Sequence, residues 1–313
     1  MEKDMNTIWK WKGALIIAAL ALAAAMPFAQ ETPADESPAV TMTVTAVARK
    51  SAPPPDLKRN DVQLYEGKER VQAADWKRSD ALYLGVVIDD SLDSSVANQW
   101  KDLRAFFMAQ PESTYIAVAY ARNGAAMIAQ DFTRDHALAA RALRLPLGDA
   151  GAFTSPYLTL QDWIKRWPDS RQRKSIILLS SGIDYFRGSF DPIDPDLDTT
   201  IEQAQRKNIN IWTVYAPDAG HVGRRAYRIF IAQSNLSRLS EETGAESYYL
   251  GFGAPVTLKP YFDEIESHLR NQYLLTFVGN GGAKGKFDRV RVASEAPGVE
   301  FLTPSEVFLP PAK

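Results

Sequence analysis

The sequence predicts an α/β protein: a doubly wound, mostly parallel sheet with a small β-domain built from both termini. Three observations carry this. Between Ala81 and Arg270, short apolar runs alternate with segments of helical spacing, the pattern of a parallel sheet covered by helices on both faces. The runs are continuous, as in Ala81–Ile88 (ALYLGVVI) and Ser175–Leu179 (SIILL), which marks strands buried on both sides. The flanks, residues 38–79 and 272–311, carry strand patterns only.

In chain order, residues 1–29 read as a secretory signal. Lys10 and Lys12 precede an apolar run from Ala14 to Met26, and Pro27-Phe28-Ala29 supplies a small-residue end before Gln30. The run is shorter than the ~20 residues a spanning helix needs, which favours cleavage over retention as an anchor. The protein is therefore expected to be exported, periplasmic or extracellular, and to meet a membrane only through that segment if it is kept. Residues 30–37 form a polar, Pro-containing linker.

Val40–Val47 (VTMTVTAV) alternates apolar and polar, the period of a half-buried strand. Val62–Tyr65 and Arg70–Trp76 follow as short strands around Glu66-Gly67. From Ala81 the α/β rhythm begins. Strands are expected at 114–120, 125–129, 175–179, 209–215 and 247–250. Helices are expected at 96–109, 135–144 (Asp135 as N-cap), 158–167, 199–208, 227–243 (ended by Gly244) and 259–270. Gln272–Val278 and Phe287–Ala293 flank a Gly-rich stretch and read as a hairpin, with 299–302 and 307–309 as last edge strands. The α/β domain thus occupies 80–271, inserted between the two β segments.

Composition narrows the function. At 313 residues and 45% hydrophobic, the chain can bury a sizeable core. A net charge of −2 and pI near 6.0, with both signs interspersed, supply no electrostatic reason for a nucleic-acid partner. Cysteine is absent, which removes disulfides, thiolate metal sites, cysteine nucleophiles and an N-terminal lipidated cysteine.

The apolar strand from Ala81 stops at Asp89-Asp90-Ser91-Leu92-Asp93, at the strand end where open α/β sheets place ligands. With the loop Gly151-Ala152-Phe153-Thr154-Ser155, the strand and turn Ile176–Asp184 (IILLSSGID), Leu236–Gly253 and Gln272–Phe277 (QYLLTF), the chain resembles a von Willebrand factor type A domain. The likeness covers residues 40–310 and is nearest to the bacterial von Willebrand-related exported proteins. The resemblance implies a metal-ion-dependent adhesion site holding Mg²⁺ or Mn²⁺. On this chain Asp89 and Ser91 match its first two ligands, and Thr154 the second-loop threonine. Asp93 stands where the pattern has a second serine, and Ser181 where it has an aspartate. Mg²⁺ demands near-octahedral oxygen ligation, so these departures imply a degenerate site, or else a rearranged one in which Asp93 ligates directly. In the degenerate reading Asp90 and Ser91 satisfy backbone groups at the helix start.

Other candidates carry less. Asp191–Asp198 (DPIDPDLD) lacks the glycine and alternating acids of a calcium loop, and reads as the acidic start of a helix. Gly279–Lys286 fails as a phosphate loop: Asn280 replaces its glycine and a strand follows. The histidines are His136, His221 and His268. None sits in an H-E-x-x-H or G-x-S-x-G context, so structural or surface roles are expected, although a dispersed Ser-His-Asp site leaves no local trace. Tyr185-Phe186 would lie near the strand ends and, with Asp90, is a partner-binding candidate. The expectation is a non-enzymatic protein-binding or adhesion module with no resident cofactor, using the loops at the C-terminal strand ends. A hydrolase with an unrecognised Ser/His/Asp site is the rival.

Overall fold

Strand β1 (Ala39–Ala48) is the first described element, followed by β2 (Val62–Glu66), β3 (Glu69–Val71) and β4 (Ala73–Arg78). The computed structural model describes residues 39–48, 54–149, 151, 154–187, 194–219, 226–248, 256–279 and 281–311. The signal and linker segments lie outside these. So do His221, residues 191–193 of the acidic stretch, and residues 249–250 of one expected strand.

The alternating region forms β5 (Leu82–Asp89), α1 (Trp100–Ala109), β6 (Thr114–Arg122), β7 (Ala125–Thr133), α2 (His136–Arg141), α3 (Pro156–Lys165), β8 (Arg173–Ser180), α4 (Pro195–Lys207), β9 (Asn210–Tyr215), α5 (Ala226–Glu242), β10 (Ser247–Tyr248) and α6 (Lys259–Arg270). These strands make one sheet in the order β10-β9-β8-β5-β6-β7, parallel except for the antiparallel edge strand β7. It is the doubly wound, mostly parallel sheet that the sequence predicts.

The two-residue period of the strands divides the core. Leu84, Val86, Ile88, Ile116, Val118, Ile177 and Trp212 face α1, α2 and α6, whereas Val87, Ala117, Ala119, Ile176, Leu178 and Ile211 face α3, α4 and α5. Gly85 lies on the second face. A Cβ there would come within 2.8 Å of both Trp163 and Trp167, so the glycine makes room for the two indoles. Both rings are buried.

The remaining strands are β11 (Gln272–Val278), β12 (Lys286–Ser294), β13 (Val299–Leu302) and β14 (Glu306–Leu309). Together with β1–β4 they form two four-stranded sheets, β13-β1-β11-β4 and β14-β12-β2-β3. Met42, Val44, Leu275 and Phe277 of one meet Leu64, Val290, Val292 and Leu309 of the other in a shared core, so the two sheets pack face to face.

Two expectations are corrected here. Residues 70–76 are not one strand: β3 and β4 break at Gln72 and join different sheets, because each can bury only one face of its pleat. Nor do β11 and β12 form a hairpin. β11 is flanked by β1 and β4, so the Gly-rich connection crosses to the opposite sheet. There Gly281 passes so close to Pro310 that a Cβ would lie 2.1 Å from its carbonyl oxygen.

Candidate functional site

The loops following β5, α2, β8 and β9 meet at the C-terminal end of the central sheet and are knitted by backbone hydrogen bonds. Asp93 N donates to Pro217 O (3.0 Å), Ala219 N to Ser91 O (2.8 Å) and Asp149 N to Asp90 O (3.1 Å). Tyr185 N and Phe186 N both donate to Thr154 O, at 2.9 and 3.0 Å. Asp89, Ser91, Thr154, Ser181 and Asp218 are thereby gathered from distant parts of the chain.

Within this knot the carboxylates are already engaged. Asp89, 1% exposed, accepts from Ser91 N at 2.9 Å on one oxygen and from Ser180 Oγ at 2.7 Å on the other. Burial pushes its carboxyl above the ordinary value, against the opposing pull of those hydrogen bonds. Asp93 caps the short 3₁₀ turn before α1, accepting from Ser95 N at 2.8 Å. Thr154 Oγ1 donates to Gly151 O at 2.8 Å, and Ser181 offers only a hydroxyl, 3.4 Å from Ile183 N. The Ser91 hydroxyl lies close enough to Asp89 to favour its charge, yet makes no hydrogen bond of regular geometry.

A hard divalent cation needs about six oxygens aimed at one point. Here Asp89 and Asp93 are committed to backbone and serine donors, and Ser181 brings no charge. Neither Asp89 nor Asp93 converges with two other Asp, Glu or His side chains among the described residues. The residues as held do not fit the adhesion-site metal that the sequence resemblance implies.

Asp90 is corrected outright as a partner-binding candidate. Its carboxylate is fully buried and gripped by both Nη atoms of Arg144 at 2.7 Å each. The Arg144 guanidinium also lies 3.6 Å from the Tyr120 ring centroid, so one arginine neutralises Asp90 and caps an aromatic ring. Nor does Asp90 cap the helix start. Asp93 does that work.

Tyr185 and Phe186 do reach the surface, 37% and 45% exposed. The Tyr185 hydroxyl donates to Asp218, and Tyr185 lines a cleft of about 310 Å³ together with Ser91, Asp149, Gly151, Thr154 and Asp218. Asp149 and Asp218 were not singled out from sequence, since each is an isolated acid in a loop with no motif around it.

The acidic stretch opens α4 as expected. Asp194 is the N-cap, accepting from Asp196 N and Leu197 N, and Asp196 pairs with Arg187. His136 is a structural histidine, with Nε2 3.0 Å from Thr114 O. His268 is buried on α6 in contact with Glu246 and Tyr248.

A scan against protein-family models finds no match, and no curated protein matches the chain. Among solved structures the chain is similar to an aerotolerance-related membrane protein from Bacteroides fragilis, at 9% identity and TM-score 0.44, over 60% of this chain and 98% of that one. It is also similar to the ArnB paralog VWA2 from Sulfolobus acidocaldarius, at 8% identity and TM-score 0.38, over 88% and 76%. A third likeness is to the SpRpn10 VWA domain, at 13% identity and TM-score 0.35, over 59% and 95%. Likeness of this degree assigns neither partner nor activity to the chain.

Proposed function

We propose that this chain is an exported, non-enzymatic protein-binding module that engages its partner through the loop cluster at the C-terminal end of the sheet. One observation carries the reading: Tyr185 and Phe186 are exposed side by side on a loop whose backbone is pinned to Thr154, beside a polar cleft. Aromatic side chains held on a rigid frame lose little entropy on docking and dominate interface energetics. Loops on such a scaffold are where binding residues concentrate. The fold does not assign a function by itself, so the reading rests on this surface and on the sequence resemblance. Export rests on residues 1–29 alone.

The test compares capture from the envelope and secreted fractions by the native chain and by a Tyr185→Ala/Phe186→Ala variant, with Mg²⁺ and with EDTA. A partner retained by the native chain under both conditions and lost by the variant is the expected result. Identical capture by both proteins overturns the reading. Capture that needs Mg²⁺ transfers it to a rearranged metal site.

A further inference from the structure

Away from the loop cluster, three metal-ligating side chains converge at the β10 edge of the sheet. Glu264 and His268 stand four residues apart on α6, so the helix presents them on one face. Glu246 comes from the turn between α5 and β10, where Thr213 N donates to its carbonyl and holds its backbone against β9. The two carboxylates and the imidazole place one ligand atom each within 4.8 Å of the others. His268 Nδ1 is 3.7 Å from Glu246 Oε2. Tyr248 sits beside them, its hydroxyl 3.3 Å from Nδ1 and hydrogen-bonded to Glu246.

We propose that Glu246, Glu264 and His268 form a binding site for a divalent transition metal of the zinc class.

The donor set selects the metal. An imidazole nitrogen with two carboxylates suits zinc and its first-row neighbours and is a poor site for Mg²⁺, which prefers all-oxygen octahedral ligation. The spacing is also right. Bonds of about 2.0–2.1 Å in a tetrahedron put ligand atoms roughly 3.3 Å apart. The 3.7 Å separation of Nδ1 and Oε2 therefore needs only a small closure.

His268 is 7% exposed and stacked on Trp212, which holds its ring in place beside the two carboxylates. Among the described residues no lysine or arginine forms an ion pair with either glutamate. Two carboxylates without a basic partner and an imidazole held beside them form a donor set that a dication would complete. Glu264 is exposed and Glu246 half-buried, which leaves an entry path from solvent. Three protein donors leave a fourth position for water. A bound metal would tie α6 to the turn that leads into β10.

The test titrates the purified, tag-free full-length chain with Zn²⁺ in competition with a chromophoric chelator. One equivalent is expected to bind at micromolar concentration or tighter. His268→Ala should weaken binding at least ~10-fold, the scale on which lost metal contacts act. Glu264→Gln, at an exposed position that does not threaten folding, should weaken it by a similar factor, whereas Asp89→Asn and His136→Ala should leave it unchanged. Absence of Zn²⁺ binding at 100-fold excess over protein, or binding indifferent to both His268→Ala and Glu264→Gln, overturns the proposal.

Discussion

Asp89 and Asp90 are a pair of adjacent carboxylates buried at a strand end, and the chain supplies each with its own partners: Ser91 N and Ser180 Oγ for one, Arg144 for the other. Burial and then the nearby charge of Glu264 raise the proton affinity of Glu246, and the histidine beside them is uncharged at neutral pH. The loop-end acids are thus internally satisfied and serve the fold. The edge acids retain unspent negative charge. The place where open α/β sheets put their ligands is therefore closed to a dication here, while an edge with no motif is suited to one.

Removing Arg144 should break the first half of this comparison most strongly. Arg144→Ala strands a fully buried carboxylate; with the arginine itself partly exposed and screened, the loss is about 2–3 kcal/mol. Urea denaturation at pH 7 measures it, and Asp90→Asn should cost less because it strands no charge. A loss below about 1 kcal/mol for Arg144→Ala would show that Asp90 does not depend on it.

Ser180→Ala should be next, at about 2 kcal/mol, since it leaves one oxygen of the buried Asp89 without its donor. The same denaturation curves report it.

Asp89 also leaves a pH signature. Its folded pKa is raised, so the native state binds the proton more tightly than the unfolded chain. Its contribution to stability is fullest at low pH and falls as pH rises from the ordinary carboxylate value through the raised one. Asp89→Asn should abolish this slope, making the variant relatively weaker at acid pH and relatively stronger at neutral pH. Parallel pH profiles for the two proteins would place the titration elsewhere.

The smallest effect is expected at the surface. Phe186→Ala should change stability by no more than about 0.5 kcal/mol, the usual range for a surface position, even as it reduces partner capture. A larger loss would make Phe186 a packing residue and sharpen the boundary between fold and binding surface.

Much of the scaffold was legible. α6 and β11 follow their sequence boundaries at Lys259–Arg270 and Gln272–Val278, because a helical stripe and a dense apolar run are both local signals. The Asp89 strand end was legible for the same reason. The role of Asp90 was not, since its partner Arg144 lies 54 residues away with no motif around it. The edge site was half visible: Glu264 and His268 share a helical spacing, but Glu246 joins them only through the β9–β10 pairing. The expected hairpin failed where a glycine-rich stretch between two strands fits a sheet-to-sheet crossing equally well.

By itself the sequence determined the α/β class and the buried strands, because periodicity and apolar content act over a few residues. Only the tertiary structure decided which strands pair in the β-domain, which acids are neutralised by a distant arginine, and where two glutamates meet a neutral histidine. Those outcomes depend on groups far apart in the chain being brought to within a few ångströms, where desolvation and Coulomb terms become large.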